Sequence, residues 1–187
     1  APADRGQAPV ELVLRQEGGV LRQAISGVFN RSYSVLRRDE SIVANITQVE
    51  NEMLQGLSQK QIFDVPPLSF AVRDLQHRRQ LGLRRELVGS ELRMAVEEGG
   101  RERASATRRL SLGRARLSVA ATSQAHPWQV RRALWRPFDF DIRDAFDEKK
   151  GKLQLGWSGL GGFLTGGNLI RLPVRDAEPD LVWGLIA

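Results

Sequence analysis

ELRMAVEEGGRERASATRRLSL, residues 91–112, decides how this chain is read. Leu92, Met94 and Val96 alternate with Arg93 and Ala95, the two-residue period of a strand with one buried face. Glu98-Gly99-Gly100-Arg101 follows as a turn signal, and Ala104 to Leu112 runs back. The stretch therefore predicts a hairpin with an apolar inner face and arginine outside.

The same pattern spreads in both directions. Downstream, Arg114 to Ala120 alternates through Leu117 and Val119, and Gln129 to Trp135 reads extended. Phe138, Phe140 and Ile142 alternate with Asp139, Asp141 and Arg143 ahead of a charged turn at Asp147 to Gly151. Leu169 to Val174 and Leu181 to Ile186 are short and apolar, as sheet strands are. Upstream, Val10 to Leu14 predicts a strand, Glu17-Gly18-Gly19 a turn, and Val20 to Phe29 a returning strand. Ser32 to Arg38 continues in extended style, while Leu68, Val72 and Leu75 suit either a short helix or a strand.

One segment breaks the period. Ile42, Ile46, Val49, Met53 and Leu57 recur at spacings of three and four, which predicts an amphipathic helix near residues 40–57. Asp39 or Ser41 is placed to cap it. The fold class that follows is α+β and mostly antiparallel β, a sandwich or partly closed barrel with that one clear helix. Residues 1–9, rich in Pro and Ala, read as a flexible arm, and 10–187 as a single β-rich domain. Asp64-Val65-Pro66-Pro67 marks the best internal break.

Composition narrows the chemistry. At 187 residues with 41% hydrophobic residues, the chain has the mass for a real core. No apolar run approaches the ~18–20 residues that span a bilayer as a helix. The absence of cysteine removes thiolate nucleophiles and Cys-ligated zinc, and His77 and His126 stand in no ligand spacing. No cofactor is expected. The start Ala1-Pro2-Ala3-Asp4 fits either initiator removal or signal cleavage, so virion-associated, cytoplasmic and periplasmic settings all stay open.

The net charge of +6 is uneven, because residues 77–136 hold 14 arginines against 5 glutamates. Arginine grips phosphate and carboxylate through a two-pronged fork. The pairs Arg78-Arg79, Arg84-Arg85, Arg108-Arg109 and Arg131-Arg132 are therefore the candidate anion-binding residues. Stacking aromatics nearby are limited to Trp128 and Trp135, which favours contact with a backbone or a protein over base reading.

GWSGLGGFLTGGN, residues 156–168, misses each phosphate or nucleophile motif it approaches. Gly167 stands where a P-loop needs lysine, Leu164 ends a dinucleotide fingerprint, and Ser158 is misplaced for a nucleophile elbow. It reads as an apolar loop that orders at a subunit contact through Trp157, Leu160, Phe163 and Leu164. Asp139 and Asp141 share one face of a strand and, with Glu148, form the best enzyme candidate, a Mg²⁺ site.

The expected function is a non-enzymatic structural or assembly subunit of a virion, tail or envelope machine. Its partners would be protein subunits, as a homo-oligomer or hetero-assembly, met through the glycine loop and the arginine surface. The alternative is a sequence-independent nucleic-acid-binding protein, with Mg²⁺-dependent nuclease activity resting on Asp139, Asp141 and Glu148.

Overall fold

The structure is a computed structural model and describes residues 8–16, 32–49, 68–109, 116–132, 138–154 and 168–187. It contains β1 (Val10–Gln16), β2 (Ser32–Arg37), β3 (Ile42–Val49), β4 (Leu68–Asp74), β5 (Arg79–Val88) and β6 (Glu91–Glu98). These are followed by β7 (Arg101–Arg109), β8 (Arg116–Ala121), β9 (Trp128–Arg132), β10 (Asp139–Arg143), β11 (Lys149–Gln154) and β12 (Asn168–Leu172). A 3-10 turn at Val174–Asp176 then leads into helix α1 (Pro179–Ile186). Each strand pairs antiparallel with the next, and β1 pairs with β12, so the sheet closes into a twelve-stranded barrel.

The mostly antiparallel β architecture follows the sequence pattern, but three expectations are corrected. The barrel is closed, not partly open. The first part of the expected helix near 40–57 is strand β3, paired on both sides with β2 and β4. Its sequence IVANITQV is rich in β-branched residues, which pack well on a pleated surface and lose freedom in a helix. Ile42 and Val49, two members of the supposed helical face, are exposed, while Ala44 and Ile46 alternate into the core. Residues 50–57, with Met53 and Leu57, lie outside the described residues.

The third correction concerns Leu181 to Ile186, which lie in α1 and not in a strand. Pro179 occupies the first turn, where its missing N–H costs nothing, and Glu178 caps the helix by accepting from the Asp180 and Leu181 amides. Residues 1–7 of the expected arm at 1–9, the proposed break at 64–67 and the expected strand at 20–29 lie outside the described residues.

The connections sort the barrel's two ends. At one, the base, β2–β3, β4–β5, β6–β7 and β10–β11 join through short turns. Tight reversal there requires left-handed backbone, carried by Glu40, Arg78, Asp147, Gly99 and Gly100, all with positive φ. At the other end, the mouth, only β5–β6 is tight, while residues 17–31, 50–67 and 155–167 are the longer joins.

Alternation assigns the two wall faces. Val35, Ala44, Val72, Leu81, Val96, Val119, Ile142 and Leu172 face inward and are all buried. Eight strands enclose an interior that side chains alone can fill; twelve make a wider ring. Helix α1 fills the surplus at the base, packing on β6, β7 and β8 with Leu181, Trp183 and Leu185 buried. Gly184 permits the approach, since a methyl group there would lie 2.7 Å from Val119 Cγ1 and 3.2 Å from Ala104 Cβ. Gly184→Val should therefore lower stability by ~1–3 kcal/mol in urea unfolding. Gly82→Ala, on the outer face with open space around it, should change it by less than about 0.5 kcal/mol.

Candidate functional site

The base is sealed by charge as well as by packing. The Trp183 indole N–H donates to Asp74 Oδ2 at 3.0 Å, and the His77 amide donates to Asp74 Oδ1 at 2.9 Å. The His77 ring Nδ1 sits 2.9 Å from Asp74 Oδ2. Burial opposes ionisation of Asp74, but the hydrogen bonds from His77 and Trp183 outweigh it and hold the carboxyl below its ordinary value.

Beside it, Arg79 bridges Glu98, at 2.7 and 3.1 Å, and Asp180 of the helix, at 2.8 Å. Its affinity for the proton is raised, first by the Glu98 hydrogen bond, against the cost of burial, and then by Asp180. Arg103 lies 3.2 Å from Glu98 and 3.5 Å from Asp180. Helix α1 is thus pinned across the base to β4, β5, β6 and β7.

The mouth is built differently. Most inward-facing apolar residues in the base half and middle of the barrel are buried, although Val10 at the base end of β1 is only partly so; Leu14, Tyr33, Met94, Leu117, Phe140 and Leu153, in the mouth half, are all only partly buried. Tyr33 meets Phe70 edge to face, with ring centroids 6.3 Å apart. Among the described residues, no element enters this end as α1 enters the other. The described inward side chains at this end are mostly apolar and partly exposed, and they outline the wall of a bowl.

Three of the four arginine pairs are divided by the pleat. Arg84 and Arg109 point outward to Glu97 and Glu91, and Arg131 points outward to Asp147. Their neighbours Arg85, Arg108 and Arg132 take the inward register positions of β5, β7 and β9 near the mouth. Arg79 belongs to the base lock, and Arg78 is exposed in the β4–β5 turn. The eight residues therefore fall into three places and do not form one patch.

The outer wall carries an ionic lattice. Arg93 on β6 joins Glu86 on β5 to Glu102 on β7, and Arg171 on β12 joins Glu11 on β1. Exposed pairs of this kind contribute about 0–1 kcal/mol each. Charges along the outer faces of the strands are the reverse of the apolar band that a lipid-facing barrel presents. No helix among the described residues is long and apolar enough to cross a membrane.

Asp139 and Asp141 do share the outer face of β10, but Asp141 is paired with Lys149 and Arg143, and Asp139 accepts from Gln154 at 3.0 Å. Glu148 pairs with Lys150 at 2.6 Å. Among the described residues no group of three or more His, Asp or Glu side chains is arranged to hold a metal ion. Trp157, Leu160, Phe163 and Leu164 lie outside the described residues. The segment carrying them joins β11 to β12 at the mouth.

Sequence reasoning missed the split of each arginine pair, although strand alternation at 79–88, 101–109 and 128–132 carried the signal. It also missed the lock, whose partners Asp74 and Trp183 are 109 positions apart. Comparison with known proteins finds no matching family model, no matching curated protein and no matching solved structure.

The lock makes a prediction about pH. A carboxyl held below its unfolded value stabilises the fold above about pH 4, and loses that contribution as pH falls through the lower, folded value. The stability difference between the native chain and Asp74→Asn should be fully present above about pH 4 and shrink as the pH is lowered from there. Urea midpoints at four or five pH values check it.

Proposed function

We propose that the chain is a non-enzymatic binding protein whose working surface is the mouth of the barrel. The observation that supports this most is the gradient along the inner wall. Most apolar inward positions are buried toward the end where α1 packs, and six in the mouth half keep partial contact with solvent. A concave, mostly apolar surface with a few convergent polar groups is the usual form of a small-molecule site. Among the described residues, Gln16, Tyr33, Gln48 and Asn168 are the neutral polar groups at inward positions of the mouth.

Binding of a neutral apolar dye tests this. Nile red should bind the native chain saturably, with blue-shifted emission and about one site per chain. Met94→Trp, which adds bulk to the bowl, should weaken binding severalfold while the circular dichroism spectrum stays unchanged. Absence of saturable binding to the native chain overturns the reading.

A second reading is favoured by one observation. Val49, Leu87, Val88 and Phe138 are exposed large apolar residues at the ends of mouth-side strands. Such a rim suits an assembly subunit that meets its neighbours there, together with Trp157, Leu160, Phe163 and Leu164. Size-exclusion chromatography with light scattering should then show an oligomer that persists in moderate salt. Phe138→Ser, or Leu160→Ser with Phe163→Ser, should reduce its mass. A native chain that is monomeric throughout removes this reading.

A further inference from the structure

We infer that the mouth takes an anionic amphiphile, a long-chain carboxylate whose chain lies in the bowl and whose head is held by Arg108 and Arg132. The inference rests on the mouth being the binding surface and adds the chemical class of its ligand.

Three observations carry it. First, charge is sorted along the inside of the barrel. The inward carboxylates Asp74 and Glu98 are at the base, where Arg79 and the His77–Trp183 contacts engage them. In the mouth half, Arg85, Arg108 and Arg132 are the charged residues at inward positions among the described residues, and no described Asp or Glu takes an inward position there. Second, Arg108 and Arg132 make no ion pair among the described residues, whereas their neighbours Arg109 and Arg131 are paired outside. The pleat has separated arginines that neutralise surface acids from arginines that face the bowl.

Third, the spacing suits a head group above an apolar chain. Arg108 on β7 and Arg132 on β9 flank β8, whose Leu117 lies across from Arg108 and from Val130. Alternate strands stand about 9–10 Å apart, so two long side chains can close on one carboxylate over Leu117. Phe140 lies directly across from Arg132, and Met94 from Arg85, so apolar residues stand between the cations around the wall. A neutral hydrocarbon leaves Arg108 and Arg132 unanswered, and an inorganic anion leaves the bowl unfilled; a carboxylate on an alkyl chain answers both. Arginine offers such a head two parallel hydrogen bonds.

The test compares oleate and oleyl alcohol as competitors for bound Nile red, at submicellar concentration, on the full chain. The native protein should bind oleate roughly tenfold or more tightly than the alcohol. Arg108→Gln with Arg132→Gln should abolish that preference while Nile red and the alcohol still bind. Arg84→Gln, which removes an outward arginine paired with Glu97, should retain it. Equal affinity of the native chain for the two ligands, or a preference that survives the double substitution, overturns the inference and leaves the mouth as a neutral apolar site. Failure of Nile red and both ligands to bind overturns the inference and the mouth reading together.

Discussion

A ring of twelve strands is too wide for its own side chains to fill, and the docking of α1 resolves this at one end. The helix reaches the wall because position 184 is glycine and the wall beneath it is Ala104 and Val119. Once seated, it buries Leu181, Trp183 and Leu185 and leaves two polar groups in the interior, the indole N–H and Asp180. Each is answered from the wall, by Asp74 and by Arg79. Buried polar groups are costly unless hydrogen-bonded, so the two contacts fix the helix in one position as well as holding it there.

That asymmetry separates the ends of the molecule. The base is short-turned, ionic and closed. The mouth carries the longer connections, and its inward positions are apolar residues interspersed with arginine. A scaffold held rigid at one end with its longer connections at the other is a common arrangement for binding sites, because loops and rim residues vary without disturbing the core. The outward arginines contribute to a different task. Cross-strand pairs such as Arg93 with Glu86 and Glu102 keep the outer face of the sheet polar and in register.

The distribution of arginine shows how composition misleads. The positive excess of residues 77–136 suggested one anion-binding surface. In the barrel, adjacent residues on a strand project to opposite faces, so Arg84-Arg85, Arg108-Arg109 and Arg131-Arg132 each contribute one cation to the outside and one to the inside. The outer members meet glutamate or aspartate supplied by neighbouring strands or turns. A linear count of charge cannot register this, because the acids that neutralise a strand lie next to it in space and elsewhere in the chain.

Much of the wall was legible from local pattern. The alternation of Leu92, Met94 and Val96, the Gly99-Gly100 turn and the Phe140–Ile142 period depend only on neighbours in sequence, and each lies where that pattern placed it. Strand β3 was legible in principle, through its β-branched content, but a coincident four-residue spacing concealed it. Closure of the sheet was not, because the pairing of Val10 with Leu172 joins opposite ends of the barrel sequence. Nor was the helical state of Leu181 to Ile186, whose eight-residue helix is too short to be stable alone and gains its stability from the wall it packs against. Local periodicity determines which residues of a strand share a face. Only the closed barrel decides which face is inside, what fills it, and which arginines are left facing the bowl.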